Sequence, residues 1–221
     1  MGLKNASIDK GLPQDDLSRM EARSPPLIPD PADPYELFRQ WFAEARAAEP
    51  GLTEAMSLAT ATADGKPSVR MVLLKDVSAA GFVFYTNADS RKGQEIASNP
   101  AAALLFHWKS LNRQVRIEGS LSRVSDAEAD AYWNSRPRAS QIAAWASDQS
   151  RTLANRAVLE GRVQEFDVKF AGKPVPRPAQ WTGFGVSPTV IEFWQDVRDR
   201  LHERLVFHRQ GSAWRTERLY P

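Results

Sequence analysis

Apolar residues change their spacing along the chain, and these changes predict where helices and strands lie. Asp33 and Pro34 are typical of an N-cap and a first helical residue, and Leu37, Phe38 and Trp41 follow them at helical spacing. We therefore expect a helix here, with its apolar side on a core.

After this helix the spacing changes to short apolar runs, separated by turn residues at 64–65 and 80–81. Connections this short join antiparallel strands, because parallel neighbours need a much longer crossover. A short helix capped by Ser90 is expected next, and further strands are expected at 101–108 and 112–124. The middle of the chain is therefore predicted to be an antiparallel meander.

Helical spacing returns at Asp126, with Ser125 as the expected cap, and continues with breaks to about Phe170. Residues 172–188 contain so many prolines and glycines that we expect a loop. Three strands are then expected, in TVIEFWQ, ERLVFHRQ and AWRTERLY, with a hairpin turn at residues 210–211 joining the last two. Strands therefore flank a helical segment.

This order of elements predicts a mainly β fold with surrounding α-helices (α+β), arranged as a closed antiparallel barrel with the helices outside. The chain has 221 residues, 42% hydrophobic and 25% charged, which is close to the globular average and sufficient for one core. Residues 1–32 are polar and broken by prolines, so we expect a flexible N-terminal arm followed by a single domain at 33–221.

Charge and composition exclude several classes of function. The 29 basic and 27 acidic residues give a formal charge of +2, which argues against a nucleic-acid interface. No apolar run is long enough for a membrane helix and no signal-peptide pattern occurs, so a cytoplasmic location is expected. Cysteine is absent and the three histidines lack metal-ligand spacing, so neither thiolate chemistry nor a metal site is expected.

Basic side chains, with Gln114 among them as an uncharged polar residue, form a first cluster in or beside apolar strands. Its members are Arg70, Lys75, Arg91, Lys92, Arg113, Gln114 and Arg116. Any one of them could extend from a strand edge into water. Together, and close to the start of a short helix whose backbone donors favour an anion, they predict a phosphate site.

A second cluster consists of Tyr132, Arg136, Arg138 and Ser140. Residues four apart share one helix face, although Pro137 must disturb the backbone. Two interpretations are equally supported by this spacing: a phosphate clamp, or an exposed turn whose arginines pair with the acidic residues of SDAEAD.

A third cluster, Arg200, His202 and Arg204, alternates along an expected strand, so the three side chains should face the same way. Burying such a row is costly without an anionic partner, and Trp194 nearby could stack a flat ligand. A plain surface strand is the alternative.

The segments that carry these clusters together resemble one protein family. They are RMVLLK, FVFYTNADSRKGQEI, NRQVRIEG, YWNSRPRASQIAAWASDQS and IEFWQDVRDRLHERLVF, and the chain ends in WRTERLYP. From about residue 33 to residue 221 the sequence resembles the pyridoxamine (pyridoxine) 5′-phosphate oxidases, which are FMN enzymes of vitamin B6 metabolism. The resemblance implies an FMN-binding split β-barrel and a homodimer with FMN at the subunit interface.

The resemblance also implies a set of site residues. The positions that correspond to FMN-binding residues are Arg70, Met71, Val72, Leu73, Leu74, Lys75, Tyr85, Thr86, Arg91, Lys92, Gln114, Gln149, Ser150, Trp194 and Arg204. The positions that correspond to substrate-binding residues are Lys75, Tyr132, Arg136, Ser140, Arg200 and His202. The catalytic pair would be Arg200 and His202, beside the pyridine ring and the reacting carbon.

In the implied reaction, pyridoxamine or pyridoxine 5′-phosphate gives up a hydride from its 4′ carbon to FMN, and dioxygen reoxidises the flavin. The products are pyridoxal 5′-phosphate and hydrogen peroxide. The first cluster would bind the cofactor phosphate, the second the substrate phosphate, and the third would lie at the reaction centre. No nucleic acid, membrane or metal partner is implied.

Two other functions are compatible with the same fold. One is a related split-barrel oxidase with another substrate, of the phenazine-biosynthesis type, and the other is a non-catalytic protein that binds FMN or heme. Tyr132, Arg136 and Ser140 as a set favour the B6 phosphate substrate. A carrier would need neither Arg200 nor His202.

The chain departs from the usual family pattern in two places. No tyrosine precedes Tyr35, although family members often carry an N-terminal tyrosine that folds over the substrate. Thr182 and Gly185 stand where glycine and then arginine are more usual, so we expect an altered loop there.

Overall fold

The computed structural model describes residues 28–29, 31–78 and 81–221, which form five α-helices and nine β-strands. The helices are α1 (Pro34–Ala48), α2 (Arg91–Ser98), α3 (Asp126–Ser135), α4 (Arg138–Ala146) and α5 (Arg156–Lys169). The strands are β1 (Ala55–Ala61), β2 (Pro67–Leu73), β3 (Asp76–Ser78), β4 (Gly81–Asn87), β5 (Ala101–Trp108), β6 (Arg113–Arg123), β7 (Trp181–Gln195), β8 (Glu203–Gln210) and β9 (Ala213–Arg218).

The first three helices begin at the caps that the sequence predicted. The Asp33 carboxylate accepts a hydrogen bond from the backbone N–H of Tyr35 at 2.9 Å. The Ser90 hydroxyl accepts one from the backbone of α2, and Ser125 forms a reciprocal capping box with Glu128. Each cap satisfies backbone donors that the first helical turn leaves free.

The strands form one antiparallel sheet in the order β2-β1-β5-β6-β7-β4-β3, and β8 and β9 extend it beside β7. The mainly β prediction and the split barrel are confirmed. The closed barrel is wrong in one respect, because among the described strands no ladder joins β2 to β3. These two end strands are instead linked through Leu74 and Lys75, and the Lys75 backbone N–H donates to the Val83 carbonyl at 2.8 Å.

The core lies between the concave side of this sheet and α1. Phe38 makes an edge contact with Phe82 at a centroid distance of 4.9 Å, and Trp41 makes one with Phe193 at 5.2 Å. All four rings are buried. Helix α1 therefore covers the core, as its apolar spacing predicted.

The loop expected at residues 172–188 ends earlier than predicted, because β7 begins at Trp181. A Cβ added to Gly183 would lie 2.7 Å from the Tyr85 ring, so this glycine permits close packing within a strand. Pro188 faces the register shift between Glu118 and Gly119, a place where a strand tolerates a missing N–H.

The predicted N-terminal arm at 1–32 lies largely outside the described residues. Ile28, which falls within it, is buried, and its backbone N–H donates to Glu203 at 2.6 Å. None of the described helices is both long and apolar enough to cross a membrane.

Candidate functional site

A cleft of about 540 Å³ opens between β2, β4, the start of α2 and the junction of α3 with α4. Its volume is typical of small-molecule sites, which range over roughly 300–1,000 Å³. The predicted site residues that line it are Arg70, Met71, Val72, Leu73, Lys75, Tyr85, Thr86, Lys92, Tyr132, Arg136, Ser140 and Gln149. Arg70, Lys75 and Lys92 of the first cluster therefore share one cleft with most of the second cluster. The first cluster is divided, however, because Gln114 and Arg116 line a separate groove and Arg113 binds Glu44.

One end of the cleft is built around Lys92, which the Ser90 cap places in the first turn of α2. The ammonium donates to Gln149 at 2.8 Å and to Thr86 at 3.2 Å, which joins three predicted cofactor residues from separate parts of the chain. Burial lowers the pKa of Lys92 below its usual value, and the charge of Arg70 adds to this effect. An anion bound at this end would therefore be stabilised by the cations.

Arg70 projects from β2 beneath the same end of the cleft. Its guanidinium donates to the Leu58 carbonyl at 3.1 Å and to the buried carboxylate of Glu95 at 3.1 Å. Burial raises the pKa of Glu95, but hydrogen bonds from Ser68, Thr60, Arg91 and Arg70 more than offset this and lower it to about 2. Glu95, which the sequence analysis missed, is therefore an anion at neutral pH.

The other end of the cleft is built around Arg136. Its guanidinium carbon lies 4.9 Å from the Trp181 ring centroid and 5.2 Å from that of Trp133, and burial lowers the pKa of Arg136. Its buried Nη1 has no hydrogen-bond partner among the described residues. Buried donors are normally paired, so this atom points to an acceptor that the chain does not supply.

The predicted single helix face for Tyr132, Arg136 and Ser140 is wrong. Helix α3 ends before Arg136, which is its C-cap, and α4 starts after Pro137. The proline breaks the helix because it lacks an N–H and crowds the preceding turn. The three side chains nevertheless line the same cleft from either side of the break.

Three stacked aromatic side chains form a wall of the cleft. Tyr85 stacks on Tyr132 at a centroid distance of 4.0 Å and on Trp181 at 5.2 Å. Trp181 was not among the predicted site residues, because it was assigned to a loop. A planar ligand could extend this stack.

The alternative predicted for the second cluster, in which its arginines pair with the acidic residues of SDAEAD, is wrong. Asp126 and Asp130 bind Arg177 at 2.9 and 2.5 Å. Arg138 instead binds Asp167 at 3.0 Å on the surface. Arg136 alone of the cluster's two arginines therefore lines the cleft.

A second groove, of about 280 Å³, contains the predicted cofactor residues Gln114, Trp194 and Arg204. Arg204 binds the buried carboxylate of Glu192 through Nε at 2.7 Å, and Arg116 binds the same carboxylate at 2.6 Å. The anionic partner that the third cluster required is thus a residue of this chain, which the sequence analysis missed. A lone glutamate inside the apolar run VIEFW was the available signal.

The predicted strand through Arg200 and His202 is wrong, because β8 begins at Glu203. Arg200 closes a 3-10 turn with a left-handed φ of 63°, so the alternation argument does not apply to it. His202 packs against Trp194 at a centroid distance of 4.8 Å, and its Nδ1 lies 2.8 Å from Asp196. Neither Arg200 nor His202 lines the cleft of its own chain.

The remaining predicted cofactor residues lie outside both pockets. The Leu74 side chain is buried in the core, Arg91 is largely exposed and binds Glu95 at 2.9 Å, and Ser150 has a left-handed φ of 72°. Of the two family departures, Thr182 is buried and accepts a hydrogen bond from Arg123 at 3.0 Å. Residues 182 and 185 lie within β7 rather than in an altered loop.

Comparison with known proteins identifies the relatives of this chain. Residues 43–170 match the family model described as pyridoxamine 5′-phosphate oxidase, and residues 181–221 match the pyridoxine 5′-phosphate oxidase C-terminal dimerisation region. A pyridoxine/pyridoxamine 5′-phosphate oxidase from Sphingopyxis alaskensis is 61% identical over 86% of this chain and 88% of its own. One from Caulobacter vibrioides is 55% identical over 94% of both chains.

Two solved structures have the same fold. PhzG from Burkholderia lata, in complex with tetrahydrophenazine-1-carboxylic acid, is 34% identical with a TM-score of 0.82 and covers 86% of this chain and 94% of its own. A pyridoxamine 5′-phosphate oxidase-related, FMN-binding protein from Nostoc punctiforme has a TM-score of 0.69 at 16% identity, covering 87% of this chain and 100% of its own. By its two matched regions and its relatives, the chain belongs to the pyridoxine/pyridoxamine 5′-phosphate oxidase family.

Proposed function

We propose that this protein is an FMN-dependent oxidase that converts pyridoxamine or pyridoxine 5′-phosphate and dioxygen into pyridoxal 5′-phosphate and hydrogen peroxide. The observation that carries the proposal is that one cleft holds two cationic groups, Lys92 with Arg70 and the unpartnered Arg136, beside a wall of stacked aromatic rings. A reaction between a phosphorylated flavin and a phosphorylated pyridine needs two anion sites with space for planar rings between them.

The Lys92 end fits the FMN phosphate. Lys92, Thr86 and Gln149 already contact one another, and Arg70 and Arg91 add positive charge. Charge-assisted hydrogen bonds from such groups are the strong contacts that proteins make with phosphates. When bound, FMN would supply the acceptor for the substrate hydride and the route for electrons to dioxygen.

The Arg136 end fits the substrate phosphate. The unpartnered Nη1 of Arg136 would donate to a phosphate oxygen, and Ser140 and Tyr132 line the cleft beside it. Because Trp181 and Trp133 hold the guanidinium, little side-chain entropy is lost on binding. Lys75 also lines the cleft and completes the proposed substrate contacts.

A second copy of the chain is proposed to complete the site. Met71, Ser57, Leu105, Arg116 and Glu192 occupy one cross-strand row, since each is paired in register with the next. Paired residues face the same side of a sheet, so the cleft and the second groove open on one outer face.

This face is apolar where it is most exposed. Val69 and Met71 of β2 are 68% and 60% exposed, and Leu52 beside them is 64% exposed. Such patches mark interaction surfaces, and a two-fold pair would set each second groove against the other copy's cleft. We therefore propose a homodimer with FMN at the interface, consistent with the matched dimerisation region.

In this dimer Arg200 and His202 would reach the cleft of the other copy. The Val197 backbone N–H donates to Nδ1 of His202 at 3.2 Å and Asp196 lies 2.8 Å from the same nitrogen, so Nε2 is the nitrogen left for the substrate. We propose that Arg200 orients the substrate ring and that His202 holds or moves a proton at the reacting 4′ substituent.

Anaerobic addition of pyridoxine 5′-phosphate tests this function. The expected result is loss of the visible absorbance of the oxidised flavin, and this absorbance should return, with formation of hydrogen peroxide, when oxygen is admitted. Flavin that stays oxidised would overturn the proposal. Reduction by tetrahydrophenazine-1-carboxylic acid alone, the compound bound in the PhzG structure, would favour a PhzG-like activity instead.

A further inference from the structure

A buried carboxylate lies beneath the Lys92 end of the cleft. Glu95 faces inward from α2 and is 4% exposed. Its Oε2 accepts hydrogen bonds from Ser68 at 2.6 Å and from Nη2 of Arg70 at 3.1 Å, while its Oε1 accepts one from Nε of Arg91 at 2.9 Å. A single carboxylate therefore holds two arginines, one on each oxygen.

The contacts also determine which edge each guanidinium presents. Nη1 of Arg70 donates to the Leu58 carbonyl and the Thr60 hydroxyl, and Nη2 donates to Glu95 and a neighbouring serine. Four of its five N–H groups are thus used within the protein, which leaves Nε–H for a ligand. Arg91 binds Glu95 through Nε, so its two terminal nitrogens remain available to a ligand.

The local charge balance fits a phosphate monoester. Arg70, Arg91 and Lys92 carry three positive charges and Glu95 carries one negative charge, so the group is doubly positive. A phosphate monoester carries about −1.5 to −2 at neutral pH. Glu95 therefore reduces repulsion among the cations while leaving a charge that matches the ligand.

We propose that Glu95 is a positioning residue, which orients Arg70 and Arg91 toward the cofactor phosphate and so selects phosphorylated over unphosphorylated flavin. This role rests on the proposed FMN function. Glu95 itself touches neither cofactor nor substrate.

Flavin binding to the cofactor-free protein tests this role without any turnover. Dissociation constants for FMN and for riboflavin, which lacks the phosphate, are measured by quenching of flavin fluorescence. Glu95→Gln should weaken FMN binding roughly 10- to 100-fold, the equivalent of one lost charge-assisted contact. Riboflavin binding should change less than about twofold, so the preference for FMN should fall.

Two further variants separate positioning from general destabilisation. Ser68→Ala leaves the Glu95 charge but removes a hydroxyl that holds Oε2, and it should weaken FMN binding selectively by a smaller factor. Glu160→Gln breaks the exposed Arg156–Glu160 pair, which has the same four-residue spacing and Nε contact, and should change neither constant.

Equal weakening of FMN and riboflavin by both Glu95→Gln and Ser68→Ala would indicate a structural role only and overturn the inference. An unchanged FMN preference in both variants would overturn it as well. If the wild-type protein binds neither flavin, the proposed function itself fails, whereas an intact wild-type preference that survives Glu95→Gln refutes only the role of Glu95.

Discussion

Arg136 offers the sharpest test of the proposed substrate site. Its guanidinium is held against Trp181 and Trp133, and its buried Nη1 lacks a partner among the described residues. The free protein therefore already bears the cost of desolvating this donor, and a substrate phosphate would supply the missing acceptor. Arg136→Ala removes both the charge and the donor.

The loss of one desolvated charged contact costs on the order of 2–4 kcal/mol of binding free energy, or roughly 30- to 700-fold in affinity. We expect this loss for pyridoxine 5′-phosphate, whereas unphosphorylated pyridoxine should bind the variant and the wild type about equally. FMN affinity should change less than about twofold, since the hydrogen bonds that join Lys92, Thr86 and Gln149 do not involve Arg136.

The assay combines oxygen consumption, which gives KM for pyridoxine 5′-phosphate, with fluorescence titration of FMN. Arg138→Ala is the matched control, because Arg138 is two residues away and binds Asp167 on the surface. An Arg136→Ala enzyme with unchanged KM, or one that loses FMN and substrate equally, would refute the separate phosphate sites.

Three further predictions concern stability and assembly. Because the pKa of Glu95 is lowered from 4.5 to about 2, its ionised form stabilises the folded protein above about pH 4.5, and this stabilisation is lost as the pH falls through about 2. The contribution to the free energy of unfolding is on the order of 3 kcal/mol. In urea unfolding the gap between wild type and Glu95→Gln should therefore shrink from about pH 5 to about pH 2, and a constant gap would contradict this. Gly183→Ala would set a Cβ 2.7 Å from the Tyr85 ring and should lower the free energy of unfolding by roughly 1–3 kcal/mol in the same urea measurement. An unchanged free energy of unfolding would contradict this packing argument. Val69→Asp should yield a folded monomer with weakened FMN binding in sedimentation and fluorescence experiments, and a dimer that retains FMN would count against the proposed interface.

The errors of the sequence analysis share a physical cause. Residues 181–188 were expected in a loop because glycine and proline usually interrupt strands, but here Gly183 makes room for Tyr85 and Pro188 lies at a register shift. The neighbour that makes a glycine necessary comes from another strand. Local composition cannot identify that neighbour.

The same cause accounts for the separation of the predicted reaction centre from the cleft. Arg200 and His202 were joined to Arg204 by alternation along one strand, but the strand begins only at Glu203. The direction of their side chains depends on the turn at residues 198–200 and, in the proposed dimer, on the placement of a second copy. Neither can be inferred from spacing.

The sequence by itself determined the elements whose cause is local. The caps at Asp33, Ser90 and Ser125 bind backbone donors within a few residues, and strand alternation follows from the pleat, so the helix starts and the antiparallel meander could be predicted. The tertiary structure alone decided which charges meet. Glu95 lies 25 residues from Arg70 and Glu192 lies 76 from Arg116, and such contacts depend on sheet register and helix placement, which bring distant parts of the chain together.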